Sequence, residues 1–412
     1  MEKSYTIEVR EDVSGLNLVK GFKVGASACD IRGKNDFNRL DTALIVSDVP
    51  ATAAGVFTTN DVKASPVILD MARLSSSEKM RAIIANSGNA NACNGTRGDA
   101  DVVKTCELVA QVAGCSAEDV LVCSTGRIGE FMPMEKLEKG IADCAAKLSD
   151  SDAMGKAAAD AILTSDTRSK TVVAEVEFNG KKISVAGMAK GAGMIEPNMA
   201  TMLAFIVSDA EISQPLLKKC LKEAADKTFN RMTVDGDMST NDTVLCLCNG
   251  VSGAVVSESD DVALEAFKAA LLAVSRSLAR KIVGDGEKIT KVVEVKITGA
   301  RDSAQAEKIC RAIGNSLLVK SSWFGCDPNW GRLTDAAGYA RTGLVYDKID
   351  LDYDGVAVLR QGQPVNENKA KWREIVSHKT FTITMNLNLG NAEESILAAD
   401  LTDEYVNFNK GE

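Results

Sequence analysis

The feature that most constrains the fold of this chain is the alternation of strand-like and helical segments along its 412 residues. Runs rich in β-branched residues, such as 42–48 and 81–87, are typical of buried strands. Residues 99–114 have helical spacing of apolar residues, and Gly114 is placed to end that helix. The sequence therefore predicts a mixed α/β fold of layered sheets with helices packed on them.

The same criteria predict further elements along the chain. Residues 170–191 should form a hairpin that turns at Asn179-Gly180, because Asn-Gly favours the tight turns that join two antiparallel strands. We also expect strands at 119–126, 202–210, 243–250, 292–299, 316–324, 342–351 and 380–390, and helices at 134–148, 153–165, 213–229 and 262–283.

Composition and charge exclude several classes of function. The formal net charge of -9 argues against a nucleic-acid-binding groove, which needs a basic stripe. The N-terminal residues lack the pattern of a signal peptide. Charged side chains interrupt the longest apolar helix, at 262–283, so we expect no membrane span. We expect a cytoplasmic protein that binds neither nucleic acid nor membrane.

Histidine and cysteine usage limits the available chemistry. The single histidine, His378, excludes a zinc site with several imidazoles, and it would have to serve any Ser-His-Asp triad. Its neighbours suggest an ordinary residue at the edge of a strand. None of the eleven cysteines forms a C-x-x-C pair, and Cys246 and Cys248 would share one face of a strand. We expect reduced thiols, no metal and no bound cofactor.

The segment 188–205 holds the strongest candidate for chemistry. Gly191, Ala192, Gly193 and Pro197 precede Thr201, and an apolar strand follows directly. Small residues allow a substrate or backbone to approach closely, while the strand would hold the threonine hydroxyl rigidly. The residues alone leave two interpretations open, a nucleophile or a simple hairpin loop that enters a core strand.

Several blocks of sequence resemble one family in order. The segment KGAGMIEPNMATMLAF (190–205) resembles the self-processing site of the ornithine acetyltransferases, which are also called bifunctional glutamate N-acetyltransferases. Further similar blocks are GVFTTN (55–60), NSGNANAC (86–93), STG (124–126), VDGDMSTND (234–242) and GCDPNWGR (325–332). The resemblance spans nearly the whole chain and implies an αββα-like sandwich of the DmpA/ornithine acetyltransferase type.

The resemblance implies that the chain cleaves itself between Ala200 and Thr201. Attack of the Thr201 hydroxyl on the Ala200 carbonyl would give an ester, which water hydrolyses. The products would be an α chain, 1–200, and a β chain, 201–412, that fold together. The new α-amine of Thr201 can help to accept the hydroxyl proton, so the nucleophile would work without histidine.

The resemblance also implies the other residues of the site. Thr125 and Gly126 match the oxyanion-hole pair, although the residues alone would favour a simple turn after a strand. Lys190 matches a substrate-binding lysine and could pair with a carboxylate, although it would otherwise be interpreted as a solvated charge. Further substrate contacts are implied at Thr164, which neighbours the similar Thr167, and at Glu287 and Asn409, besides Thr201 itself.

Three positions depart from the family pattern. Arg127 stands where relatives carry an aliphatic residue, so the local pocket should be more polar. Lys288 replaces a glycine, and if it points inward it should favour the ionised form of Glu287. The chain ends two residues before the terminal Ser or Thr contact of the family, so we expect that contact to be missing or to be replaced by Glu412 or the terminal carboxylate.

The implied reaction is acetyl transfer from N-acetylornithine to glutamate through an acetyl-threonine intermediate. Acetyl-CoA is a possible second donor, and an α2β2 assembly is implied. Three alternatives stay open. An N-terminal-nucleophile amidase or aminopeptidase would transfer the acyl group to water. A catalytically silent relative would remain uncut. A paralogue would transfer the acetyl group to an acceptor other than glutamate.

Overall fold

The computed structural model of the chain describes residues 5–196 and 202–411. These residues divide into two compact units. Unit 1 contains 5–191, 202–230 and 238–282, and unit 2 contains 192–196, 231–237 and 283–411.

The described residues contain both helices and strands, numbered here in chain order. The strands are β1 (Tyr5–Glu11), β2 (Phe22–Ser27), β3 (Thr42–Phe57), β4 (Lys79–Asn89), β5 (Val120–Arg127), β6 (Lys170–Phe178), β7 (Lys181–Lys190), β8 (Leu203–Ser208), β9 (Glu211–Ile212), β10 (Met232–Thr233), β11 (Thr243–Cys248), β12 (Val255–Val256), β13 (Val292–Ala300), β14 (Asp350–Tyr353), β15 (Val356–Arg360), β16 (Gln363–Pro364), β17 (Thr380–Asn386) and β18 (Ala392–Ala399). The α-helices are α1 (Ser65–Ser76), α2 (Gly95–Ala113), α3 (Met134–Ala146), α4 (Asp152–Ala161), α5 (Gln214–Asp226), α6 (Asp261–Val283), α7 (Ser303–Asn315), α8 (Leu317–Phe324), α9 (Trp330–Tyr339), α10 (Lys369–Ser377) and α11 (Asp403–Asn409).

Unit 1 is built on a nine-stranded sheet. Its order is β1-β6-β7-β8-β11-β3-β4-β5, and β2 pairs with β3. Strand β8 lies antiparallel to β7 and parallel to β11. Strands β1 to β7 precede the predicted cleavage point, whereas β8 and β11 follow it. Residues from both sides of that point therefore contribute to one sheet.

Apolar side chains cover both faces of this sheet. Ile83 and Leu121 belong to one core, which also contains apolar residues of α4. Their neighbours Ile84 and Val122 belong to a second core, which contains residues of α2 and α3. Successive residues of a strand point to opposite faces, so a continuously apolar strand requires cover on both sides.

Unit 2 is built on a seven-stranded sheet of order β10-β18-β13-β17-β14-β15-β16. Val293, Val295 and Ile297 of β13 are fully buried, whereas the intervening Glu294 and Lys296 are only half-buried. The buried face shares its core with apolar residues of α7, α8, α9 and α10. This alternation is typical of a sheet with one face packed against helices.

The structure confirms the mixed α/β class, in which sheets carry helices on their faces. The predicted hairpin is present as β6 and β7, with Asn179 and Gly180 at φ +48° and +71°. The predicted helix 99–114 is α2, and Gly114 follows it with φ +64°. Within the described ranges no helix is both long and apolar enough to cross a membrane.

Two predicted strands are wrong. Residues 316–324 form α8, because the Ser316 hydroxyl accepts a hydrogen bond from the Val319 amide and begins a helix. A short apolar run fits either a strand or a helix, so periodicity could not separate the two. Of the predicted strand 342–351 only the end lies in β14, and residues 346–348 form a short 3-10 helix. Helix α4 also ends early, which leaves Thr164 in a loop.

Candidate active site

Thr125 and Gly126 lie near the end of β5, next to its parallel neighbour β4. The Thr125 side chain is buried, whereas Gly126 is exposed. Gly126 has φ +134°, and a Cβ at this position would collide with the backbone of Gly88. Only glycine therefore fits this close approach of two strands. The pair presents one hydroxyl and one backbone amide at the end of a rigid strand.

Lys190 ends β7 and is buried, with an exposed fraction of 1%. The interpretation of this residue as a solvated hairpin charge is therefore wrong. Its Nζ donates a hydrogen bond to Thr125 Oγ1 at 3.4 Å. The structure thus brings together two of the sequence-predicted site residues, and the Lys190 ammonium is within hydrogen-bond distance of the threonine hydroxyl.

Asp166 connects the third predicted residue of unit 1 to this pair. The Thr164 amide and hydroxyl donate to Asp166 Oδ2 at 3.1 and 3.5 Å. The same oxygen lies 3.8 Å from Lys190 Nζ. Thr167, the residue most easily confused with Thr164, is exposed. Sequence reasoning missed Asp166, although an acidic residue between Thr164 and Lys170 was a signal that could have found it.

Residues from four of the family-like sequence blocks meet in unit 1. The Asn241 side chain donates to the backbone carbonyls of Ala90 and Ser124 at 2.6 and 2.9 Å. Ser124 Oγ donates to Asn86 Oδ1 at 2.7 Å. The Thr58 hydroxyl donates to the Ser239 carbonyl at 2.8 Å. Hydrogen bonds therefore link these four blocks, which are far apart in sequence, around the end of β5.

Thr201 and Ala200, the predicted nucleophile and cleavage position, lie outside the described residues. The next residue is well anchored, because the Met202 amide donates to Asp242 Oδ1 at 2.8 Å. Asp242 is fully buried, and its Oδ2 has no hydrogen-bond partner among the described residues. Burial raises the pKa of Asp242 well above its usual range, although the Met202 amide and the charge of Lys190 oppose that shift.

Glu287 and Asn409 come together in unit 2. Asn409 Nδ2 donates to Glu287 Oε2 at 3.0 Å, and the Glu287 amide donates to the Ala192 carbonyl at 3.0 Å. A Cβ on Gly193 would come within 2.4 Å of the Glu287 carboxyl carbon, so a side chain there would have to displace that carboxylate. The carboxylate thus lies against the small residues that precede the predicted cleavage point.

Asp235 fixes the same small-residue segment within unit 2. Its carboxylate accepts the amides of Met194 and Ile195 at 2.6 and 2.7 Å. The Tyr405 hydroxyl of α11 donates to Asp235 at 3.2 Å. Met194 has φ +58°, a conformation that costs energy in a non-glycine residue. Sequence reasoning did not select Asp235, because its role depends on contacts made only after folding.

The departures from the family pattern are partly explained. The half-exposed Arg127 guanidinium pairs with Glu130 at 2.8 Å and donates to the Arg32 carbonyl, so a more polar pocket at this position stays a prediction. Lys288 Nζ lies over the Phe408 ring, 5.0 Å from its centroid, rather than pairing with Glu287. Lys288 has φ +55°, the backbone region that favours glycine. Residue Glu412 lies outside the described part of the chain.

Other candidates take no part in these clusters. His378 is exposed at the end of α10, just before β17. All eleven cysteines are free thiols. Across 5–196 and 202–411 no group of three or more His, Cys, Asp or Glu side chains is arranged to hold a metal ion.

Comparisons with known proteins agree on one family. Residues 23–411 match the model described as the ArgJ family. A relative from Geobacter sulfurreducens, named arginine biosynthesis bifunctional protein ArgJ, is 45% identical over 393 residues, which cover 95% of this chain and 98% of the relative. A relative of the same name from Lactococcus lactis is 44% identical over 392 residues, 95% of this chain and 96% of the relative. The crystal structure of the Bacillus halodurans protein of that name is 37% identical, covers 47% of this chain and 100% of that chain, and has a TM-score of 0.44.

Proposed function

The chain belongs to the ArgJ family, and from this membership we propose that it is a self-cleaving enzyme that transfers an acetyl group from N-acetylornithine to glutamate. The observation that carries the proposal is the buried ammonium of Lys190, 3.4 Å from the Thr125 hydroxyl at the end of β5. A buried ammonium behind a hydroxyl is suited to stabilising an oxyanion, which every acyl transfer forms.

The proposed nucleophile is Thr201. Its hydroxyl oxygen attacks the acetyl carbonyl of N-acetylornithine, and the resulting oxyanion accepts hydrogen bonds from Thr125 and the Gly126 amide. The C–N bond then breaks, the ornithine amine leaves with a proton, and the acetyl group remains on Thr201 as an ester. Glutamate enters, its amine attacks the ester carbonyl, and the threonine hydroxyl is regenerated as N-acetylglutamate leaves.

Cleavage between Ala200 and Thr201 prepares this nucleophile by freeing its α-amine. The products are a chain of residues 1–200 and a chain of residues 201–412. The position of β8 between β7 and β11 supports the proposal that the two chains fold together. We further propose an α2β2 assembly. The word bifunctional in the relatives' names supports acetyl-CoA as a second acetyl donor.

Intact mass and product analysis test this function. Purified, denatured protein should give two chains that divide at Ala200–Thr201, and N-acetylornithine should add one acetyl group to the 201–412 chain alone. Glutamate should remove that group and appear as N-acetylglutamate. Free acetate in place of N-acetylglutamate would instead identify a hydrolase. A single chain that never gains an acetyl group would identify a silent relative.

Glu287 and Asn409 are proposed to bind the side-chain amine of ornithine. Replacing Glu287 by Gln removes the carboxylate charge, so we expect KM for N-acetylornithine to rise about 10- to 100-fold. KM for glutamate should change little, since glutamate has no side-chain amine. Steady-state kinetics with each substrate varied in turn provide the measurement, and Glu404→Gln on the exposed side of α11 is the matched control. A lower kcat with unchanged KM would indicate proton transfer by Glu287 instead.

A further inference from the structure

Three charged side chains form a buried cluster beside the proposed oxyanion hole. The side chains of Asp166 and Lys170 are fully buried, and that of Lys190 is 2% exposed. Asp166 Oδ1 lies 2.6 Å from Lys170 Nζ, and Asp166 Oδ2 lies 3.8 Å from Lys190 Nζ. Buried charges are costly unless they are paired, so this cluster needs an explanation beyond packing.

Asp166 is ionised in this cluster. Burial alone would raise the pKa of Asp166, but the positive charges of Lys190 and Lys170 and the Gly191 amide lower that pKa well below its usual range. The Gly191 amide donates to Oδ1 at 2.6 Å. The carboxylate therefore forms an ion pair with the Lys190 ammonium and a hydrogen bond with the backbone that follows it at the end of β7.

The bond between Lys190 and Thr125 has a defined direction. An ammonium group has donors only, so Thr125 Oγ1 must accept this hydrogen bond. The proton of the Thr125 hydroxyl is then directed away from Lys190 and is available to another acceptor. A hydroxyl that accepts a bond from a cation also becomes a stronger donor, because successive hydrogen bonds polarise one another.

We propose that Asp166 is a positioning residue, which holds the Lys190 ammonium against Thr125 Oγ1 so that the Thr125 hydroxyl donates its proton to the reaction's oxyanion. This inference rests on the proposed function and deepens it. Lys190 then acts on the transition state through Thr125, whereas the family resemblance implies a contact with a substrate carboxylate. The two roles predict different kinetics, because an interaction made only in the transition state changes kcat, and one made equally with bound substrate changes KM.

The first test is Asp166→Asn, measured as kcat and KM per mole of cleaved enzyme. We expect kcat to fall about 10- to 100-fold, with KM for N-acetylornithine within about threefold of wild type. Without its counter-charge the buried ammonium should lose its proton more easily, so the alkaline limb of the kcat profile should move to lower pH. Asp166→Glu retains the charge, so it should keep much of the wild-type kcat, and the alkaline limb of its kcat profile should lie near the wild-type pH. Glu175→Gln is the matched control, since Glu175 is a partly exposed carboxylate of β6 that pairs with Lys182 at 2.7 Å.

A double-mutant cycle on Lys190→Met and Thr125→Val provides an independent test if Asp166→Asn does not fold. The proposal predicts that the double variant is little slower than Thr125→Val alone, because both changes remove the same hydrogen bond between Lys190 and Thr125. Additive losses, or a raised KM with unchanged kcat in Asp166→Asn, would overturn the inference. Wild-type enzyme is measured in the same assay, so that failure of the proposed function and failure of this inference can be told apart. If wild type makes no N-acetylglutamate, the proposed function is wrong. If wild type is active but the losses of kcat in the cycle are additive, only the proposed role of Asp166 is wrong.

Discussion

Thr201→Ala is expected to yield a single uncut chain of 412 residues that transfers no acetyl group. The variant lacks the hydroxyl that the proposed self-cleavage and the proposed acetyl transfer both use. Loss of a covalent nucleophile reduces kcat by at least about 10³-fold in comparable acyl-transfer enzymes. Intact mass after denaturation reports cleavage, and N-acetylglutamate formation reports transfer.

Thr201→Ser is the matched control, because it keeps the hydroxyl and removes only a methyl group. We expect this variant to cleave and to transfer acetyl, both more slowly than wild type. An acetyl-bearing Thr201→Ala chain would place the nucleophile on another residue. Cleavage of Thr201→Ala at the same bond would show that a different group attacks Ala200. Either result would remove Thr201 from the proposed mechanism.

Local signals in the sequence predicted the fold wherever they were strong. Asn179-Gly180 predicted its hairpin, since few residue pairs adopt positive φ at two successive positions. Gly114 similarly predicted the end of α2. The signal for secondary structure was weak at 316–324. Leu317 and Leu318 made this segment apolar, as in a buried strand, but both side chains are exposed on a helix. Burial, rather than apolar character alone, distinguishes such a helix from a core strand.

The candidate site was only partly predictable, for a different physical reason. Thr125, Lys190 and Thr164 were assigned from resemblance, and the structure places all three in one cluster, joined by hydrogen bonds and by the ion pair between Asp166 and Lys190. Asp166 and Asp242 were not assigned. Their importance arises from burial and from partners distant in sequence, such as the Met202 amide for Asp242. No local pattern of residues carries that information.

The convergence of the family-like blocks has a structural consequence. The Asn241 side chain donates hydrogen bonds to the carbonyls of Ala90 and Ser124, and the Thr58 hydroxyl donates one to the carbonyl of Ser239. The Asn241 bond to Ser124 holds the end of β5, and the Thr58 bond holds the segment that carries Asn241. A site held on rigid strands loses little entropy when its transition state forms, which favours a precise oxyanion hole. The geometry at Thr125 should therefore survive a change of its own side chain.

Thr125→Val consequently tests the hydroxyl alone, because valine has nearly the shape of threonine. Thr125 is 3% exposed, and its hydroxyl accepts the Lys190 hydrogen bond at 3.4 Å. Removing one donor from an oxyanion hole lowers kcat about 10²- to 10³-fold, and we expect a loss of that size with little change in KM. Self-cleavage should also slow, since its intermediate carries the same kind of oxyanion.

Thr125→Ser separates this role from packing. Serine keeps the hydroxyl and lacks the methyl group, so we expect kcat to stay within about tenfold of wild type. The order of kcat should therefore be wild type, Thr125→Ser, then Thr125→Val far below. If serine and valine lose equal activity, the methyl contact matters and the hydroxyl does not. In that case the Gly126 amide would have to stabilise the oxyanion without Thr125, because glycine offers only its backbone.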